Sequence, residues 1–587
     1  MRLINVQTHE LQEFYGSRIP KYAILTHTWG SEEVSHQEWL SWLATGNPSV
    51  ANKQGFEKIM GACKVANGDE LNWLWVDTNC IDKASSAELT EAINSMYAWY
   101  RGSTICYGYL ADVPTTSNDD AAFLSSFRNS RWHRRGWTLQ ELLAPQSLVF
   151  YSQSWTMLGT KYSLSPYIAA ATGIDELCLS ESLGQERIRD ASVAKKMAWL
   201  SRRKTTHVED LAYCMLGLFD LHMPLLYGEG TRAFTRLQEE IIRSSNDHTI
   251  FCWHWNSKMP LDWVSMLAPS PYMFKESSSY VRRLTPWNVA PNSVTSLGLS
   301  ISLPLVYTLV GVYGILDAGL LHDVPNKRSL IHLCRLNEAS MVYQRCRYPR
   351  RPLAWNFDNA TDWSRHDILV QSRPESRLRY LSTRPPGEIG VFFLIEPTVF
   401  HDFNATKPTH NLARVYQTLA SPPEVFDITR NLLVLSPPSP ESEDRLYTAF
   451  MAIKASEDGK GWYYLFFAAT ARNSIVHWYC STTNTQQMPQ QLLPKSNALD
   501  YSDEYRTEHD AAYDHMRAEA ANEWDGHETQ TRCQSGFDVT IGDDLDIYPY
   551  MKVRAVGLEF TPRDRPWEPS LSVPRWSTIA SRREVED

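Results

Sequence analysis

Between residues 22 and 155, apolar runs of strand length alternate with amphipathic stretches of helical length, and few folds accommodate that order. "YAILTHTWG" (22–30) is apolar and ends in polar residues and a glycine, as a buried strand feeding a loop does. "GFEKIMGACKVA" (55–66) has helical spacing, with Phe56, Ile59, Met60 and Cys63 along one side. "NWLWVDTNCID" (72–82) repeats the strand pattern with a polar exit. "SSAELTEAINSMYAWYRG" (85–102) opens with serine and an early Glu88, then carries Leu89, Ile93, Met96, Tyr97 and Tyr100 on one face. "STICYGYLADV" (103–113) and "SLVFYSQSW" (147–155) supply two more strands. Strands joined through helices by short connections predict an α/β fold with a doubly wound, mostly parallel sheet.

The rest of the chain reads differently. A helical segment spans 181–250, where "GEG" (228–230) separates two helices, Thr206 and Glu209 have capping-box spacing, and Arg202, Arg203 and Lys204 read as a solvated face. "NDHTIFCWHW" (246–255) shifts to a period of two. From 285 to 565, short alternating runs broken by proline and glycine predict a β-rich, sandwich-like domain. The acidic stretch 502–527 reads as an exposed helix or insertion, and 566–587 as a loose tail. The first domain is placed at 1–180, with its core at 22–155. At 587 residues the chain has room for roughly three or four domains.

Composition narrows the function classes. A net charge of −10 with no long basic run argues against nucleic-acid binding. The 21 tryptophans and 28 tyrosines are high, and point to large aromatic cores and ligand platforms. Residues 296–319 are uncharged before Asp317, yet Leu299, Ile301, Leu303 and Leu305 alternate with Ser300, Ser302 and Pro304. That is strand periodicity, so two β-strands and no membrane span are expected. The ten cysteines form no CxxC pair, so neither a zinc ribbon nor a disulfide framework is indicated. With no secretory pattern at the N-terminus, a cytoplasmic location with reduced thiols is expected.

In a doubly wound sheet, ligands bind beyond the carboxyl ends of the strands. The residues expected there are Thr26, His27, Thr28, Trp29 and Gly30 after the first strand, Asp77, Thr78, Asn79, Cys80 and Asp82 after the second, and Asp112 after the third. Each has a structural alternative. His27 can serve loop carbonyls, Asp77 and Asp82 can cap turns, Cys80 can be a small buried hydrophobe, and Trp29 and Trp137 can be core. "RRGWTLQELLAP" (134–145) places Glu141 in an apolar setting just before the fourth strand. Thr138 and Glu141 have capping-box spacing, which is one explanation. A catalytic carboxyl aimed at the rim is the other. No GxxxxGK[ST] loop occurs, so a P-loop nucleotide engine is not expected.

"PKYAILTHTWG", "WVDTNCIDK", "SSAELTEAINSMYAWY" and "RGWTLQELLAP", in that order, closely resemble the HET domain of fungal heterokaryon-incompatibility proteins. "EDLAYCMLGLF…MPLLYGEGTRAFTRLQEEII" is similar to the segment that usually follows one. The sequence departs from the pattern at Thr26, where serine is usual, and at Asn79, where a second cysteine is common. The resemblance implies a role in non-self recognition and programmed cell death, through self-association or a signalling partner protein. HET domains are in turn distantly similar to TIR domains, which share a flavodoxin-like sheet, and some TIR domains cleave NAD⁺ with the glutamate of a W-x-x-x-E pattern. Trp137 to Glu141 fits that spacing. The resemblance therefore implies Glu141 as the catalytic residue, with His27, Trp29, Gly30, Asp77, Arg135 and Trp137 binding NAD⁺ as substrate and Arg134 or Arg135 meeting its diphosphate. No resident cofactor or metal is expected. A non-catalytic assembly module is the alternative. A Cys80–His27 hydrolase is a weaker one, since no orienting third residue is evident.

Overall fold

The computed structural model describes residues 1–114, 121–255, most of 263–372 and, beyond these, strands lying between 390 and 560 with a helical stretch at 514–520. The N-terminal part is one seven-stranded sheet with helices against it. Its elements run β1 (Arg2–Asn5), β2 (Leu11–Glu13), β3 (Ala23–His27), α1 (His36–Thr45), α2 (Pro48–Ala51), α3 (Gln54–Gly68) and β4 (Trp73–Trp75). They continue with α4 (Ser86–Gly102), β5 (Ile105–Tyr109), α5 (Ala121–Asn129), α6 (Thr138–Leu143), β6 (Leu148–Tyr151) and β7 (Met157–Thr160).

The order across the sheet is β2-β1-β4-β3-β5-β6-β7. The four central strands are parallel, with Ala23 opposite both Leu74 and Ile105, and Cys106 opposite Leu148. These are the four strands expected from their apolar runs. β1, β2 and β7 add antiparallel edges that periodicity did not show, so the sheet is mixed. From β3 the chain steps to one side to form β4, then crosses back to form β5. Right-handed crossovers in opposite directions put helices on both faces. The connection therefore reverses between β3 and β5, the point at which ligands bind in sheets of this kind.

Trp39, Trp75, Trp132, Tyr100 and Tyr107 are fully buried around this sheet, which accounts for part of the aromatic excess. The buried face of α3 is Gly55, Lys58, Ile59, Ala62, Cys63 and Ala66, rotated from the expected stripe. Gly55 is required there, because a Cβ would lie 2.6 Å from the Glu32 carbonyl. α1 has a true capping box between Ser35 and Glu38.

The helical segment contains Gly184–Asp190, Val193–Leu200, Asp210–Tyr213 and Arg232–Ser244. The Thr206–Glu209 box does not form. Glu209 is itself the cap residue of Asp210–Tyr213, and its carboxylate accepts from the amides of Gly228 and Gly230 at 2.8 and 3.0 Å, pinning the GEG turn. The period-two run at 246–255 becomes a short 3₁₀ turn, His248–Phe251. Asp247 caps it through the Thr249 amide (2.9 Å) and ties it back to the Val193 amide (2.9 Å).

Further on, strands Gly298–Thr308, Gly311–Leu316, Lys327–Arg335, Val342–Arg345 and Arg365–Gln371 pair in a closed circuit, a barrel-like arrangement instead of an open sandwich layer. The uncharged stretch 296–319 supplies the first two as an antiparallel pair, with Leu299, Ile301, Leu303 and Leu305 buried. Among the described residues no helix is long and apolar enough to cross a membrane. Two five-stranded sheets follow. The tail at 566–587 and most of 502–527 lie outside the described residues. One contiguous apolar cluster runs from Leu3 to Val370, joining the α/β sheet, the helical segment and the barrel-like sheet.

Candidate active site

Thr26 and His27 are neighbours at the end of β3, so the pleat sends their side chains to opposite faces of the sheet. Thr26 meets α6: its hydroxyl donates to the Glu141 carboxyl and accepts from the Trp132 indole at 2.8 Å. Tyr100, from α4, donates to the Leu25 carbonyl at 3.0 Å, and its hydroxyl also lies against Glu141. Glu141 is buried (7% exposed). Burial pushes its carboxyl up to about 8, against the hydrogen bond from Thr26, which favours ionisation.

The expected capping box at Thr138 is absent. Trp137 already has helical dihedrals (φ −59, ψ −37), so the first turn begins before Thr138. The Thr138 hydroxyl turns instead to the Trp132 and Arg135 carbonyls and accepts from Arg203 at 2.9 Å. Glu141 is thus free of the helix end and points at the strand terminus.

His27 faces the other way, toward α3. Its Nε2 lies 3.7 Å from Asp77 Oδ1 and 3.8 Å from Glu33 Oε2, with its side chain 1% exposed. Lys58 reaches in from the buried face of α3 and grips Glu33 at 2.6 and 2.8 Å. Burial and the Lys58 charge push His27 down to about 4, so it is neutral in ordinary solution. Asp77 holds the Trp29 indole N–H at 2.9 Å. Burial works to raise the Asp77 carboxyl, but His27, Lys83 and the indole hold it below its ordinary value. His27 Nε2 and Asp77 Oδ1 are both buried without a hydrogen-bond partner. Trp29 is 39% exposed, with the Lys83 ammonium 3.5 Å and the Arg135 guanidinium 5.4 Å from its ring centre.

The strand ends therefore hold His27, Trp29, Asp77 and Arg135 as one group, with Gly30 beside them donating to Glu33 at 2.7 Å, while Glu141, on the Thr26 side, lies within electrostatic reach of Asp77 and Arg135. Other expected residues face elsewhere. Trp137 lies against Asp210 of the helical segment, and Arg134 turns to Asn129 (3.4 Å) beside a separate hollow of about 540 Å³ lined by Arg128 and Tyr167. Asp112 sits at the same sheet edge but secures the 131–134 turn, accepting from Ser130 Oγ (2.7 Å) and the Arg131 amide (2.8 Å). Asp82 accepts from the Ala84 amide at 3.0 Å. Cys80 is buried and burial pushes its thiol up to about 12, which removes it as a nucleophile near neutral pH. Asn79, in the position of a second cysteine, is a buried structural amide donating to the Val34 carbonyl at 3.2 Å.

Arg203 corrects the reading of 202–204 as a solvated face. It is buried, donating to the Arg135 carbonyl and Thr138 hydroxyl at 2.9 Å each. Lys204 pairs with the loop before α6, exchanging bonds with the Arg134 carbonyl (2.7 Å) and the Gly136 amide (2.8 Å). A Cβ on Gly136 would sit 2.4 Å from the Thr205 methyl, so the two chains approach too closely for a side chain. Lys161 closes the other end of α6, donating to the Pro145 carbonyl at 2.6 Å. Sequence reasoning missed Lys58, Glu33, Lys83, Tyr100, Trp132 and Arg203 as parts of this site. Lys58 had a signal, since it stands three residues after Gly55 and one before Ile59 on the buried stripe.

The layout is that of an α/β domain whose parallel strands reverse their direction of connection between β3 and β5. Residues 22–123 match the family described as "Heterokaryon incompatibility protein (HET)". The chain is also 45% identical over 230 residues to the vegetative incompatibility protein HET-E-1 of Podospora anserina, a match covering 38% of this chain and 16% of that protein. No solved structure matches. Residues 22–123 thus carry the HET match, and the chain spans about a sixth of the length of the curated relative it matches.

Proposed function

We propose that this chain is an effector of fungal non-self recognition and programmed cell death, acting through cleavage of the nicotinamide–ribose bond of NAD⁺ at the β3/β5 crevice. The observation that carries the reading is the placement of Glu141: a buried carboxyl, released from its helix end and held by Thr26 at the strand terminus. The order of the parallel strands, β4-β3-β5-β6, is that of flavodoxin-like sheets, which supports the kinship with TIR domains.

In this reading the bond from ribose C1′ to the nicotinamide nitrogen breaks, and its electron pair leaves with nicotinamide. Water adds at C1′ and loses a proton, leaving ADP-ribose. The transition state carries oxocarbenium charge, and Glu141 as a carboxylate stabilises it. An approaching cationic nicotinamide favours the ionised form, drawing the carboxyl down from about 8.

The test is NAD⁺ consumption and cell viability for full-length wild type and Glu141→Gln on the same preparation. Loss of roughly two or more orders of magnitude in turnover with the fold intact is expected. Full toxicity from a well-folded Glu141→Gln protein would replace this reading with an assembly module acting through a protein partner.

A further inference from the structure

Two features beside these strand ends include polar or charged groups left without a hydrogen bond among the described residues. The first is the gap between His27 Nε2 and Asp77 Oδ1. Both atoms are buried, both lack a partner, and they stand 3.7 Å apart. An oxygen can sit within ordinary hydrogen-bond distance of both at once. Asp77 Oδ1 only accepts, while a ring nitrogen donates or accepts according to tautomer. A hydroxyl meets both requirements, because it donates to the carboxylate and accepts from an imidazole N–H. Leaving such a pair dry is costly, so water or a ligand hydroxyl belongs there.

The second is the pair of cations over Trp29. Neither the Lys83 ammonium nor the Arg135 guanidinium forms an ion pair or a hydrogen bond among the described residues. The nearby Glu33 is already neutralised by Lys58. Asp77 links the two features, since its other oxygen holds the Trp29 indole.

We propose that this half of the cleft is a phosphopentose subsite: His27 and Asp77 share one ring hydroxyl of a ribose, and Lys83 and Arg135 take the phosphate attached to it. The assignment rests on the nucleotide-cleaving reading only for the identity of the whole substrate. Loss of the hydroxyl should weaken binding strongly, because it strands a buried carboxylate oxygen and a ring nitrogen together.

Calorimetric titration of the full chain with ribose 5-phosphate, 2,3-dideoxyribose 5-phosphate and inorganic phosphate tests this. The hydroxylated sugar phosphate should bind at least about tenfold tighter than the dideoxy compound. Asp77→Asn and, independently, His27→Gln should bring the two within about threefold, because each breaks one side of the gap. Lys83→Ala with Arg135→Ala should weaken all three probes, inorganic phosphate included. Equal binding of both sugar phosphates to wild type, or an undiminished preference in whichever of the two cleft variants folds, would overturn the subsite. The same titration on Glu141→Gln keeps the two ideas apart. A retained hydroxyl preference there supports the subsite whether or not NAD⁺ is consumed, and its failure in wild type removes the subsite while leaving the turnover test standing.

Discussion

The Thr26 hydroxyl stands between the Trp132 indole and the Glu141 carboxyl, accepting from the first at 2.8 Å and donating to the second. An indole N–H can only donate, so the single hydroxyl proton of Thr26 is committed to Glu141. The chain of bonds fixes the carboxyl's orientation from 115 residues away in sequence.

Removing that hydroxyl without changing shape should be expensive. Thr26→Val leaves both a buried N–H and a buried carboxyl short of a partner, at about 1–3 kcal/mol each. Thr26→Ser keeps the bonds and should lose about 1 kcal/mol or less, the contribution of one methyl group. Chemical denaturation of the two variants side by side checks this. Equal losses would mean the hydroxyl relay contributes nothing.

Glu141 should make stability depend on pH in a definite direction. Its carboxyl is raised from 4.5 to about 8 in the fold, so the native state holds that proton more tightly than the unfolded chain. The stabilisation is complete below about pH 4.5 and is lost as pH rises through about 8. Glu141→Gln cannot ionise. Its melting temperature relative to wild type should therefore improve between about pH 5 and pH 8. If the carboxylate is the active form, wild-type turnover rises over the same window. A melting difference independent of pH would contradict the buried, protonated state.

The helical segment should be inseparable from the site. Arg203 and Lys204 grip the loop that carries Arg135, and Trp137 lies against Asp210. Arg203→Met leaves the Thr138 hydroxyl and Arg135 carbonyl without their cationic donor, a loss of about 2–3 kcal/mol. Expression of 1–180 alone should yield less soluble, less cooperatively folded protein than 1–250, read by thermal melting. An equally sharp melt from the shorter piece would show that Arg203 is dispensable.

How far the site was legible before the structure depended on distance in sequence. The four parallel strands announced themselves as apolar runs with polar exits, and with them His27, Trp29 and Asp77 at one rim. β1 was not visible, because four residues beginning with Arg2 show no period. Glu141 had two local explanations, and Thr138 offered the nearer one. What removed the nearer one was a helical Trp137, and what holds the carboxyl instead is Thr26 on β3, neither visible in twelve residues. Arg203 was misread for a similar reason: in a run of three basic residues, nothing local distinguishes the one that is buried.

Lys58 provides the last test, because its role is electrostatic. It is buried on α3, neutralises Glu33, and helps hold His27 down to about 4. Lys58→Met leaves a largely buried Glu33 without its cation, at about 3 kcal/mol. It also removes a positive charge from beside His27 while leaving two carboxylates near it, so the imidazole should titrate well above its wild-type value. As pH falls below the unfolded histidine value of 6.5, wild type loses stability because the fold resists protonating His27, and the variant should lose less over the same range, its His27 lying closer to that value. Histidine resonances followed by NMR across an acid titration give the shift directly. Lys58→Met combined with Glu33→Leu should recover most of the lost stability, since no unpaired charge remains. A His27 titration unmoved in the single variant would mean that burial alone sets it, and that Lys58 serves only to anchor Glu33.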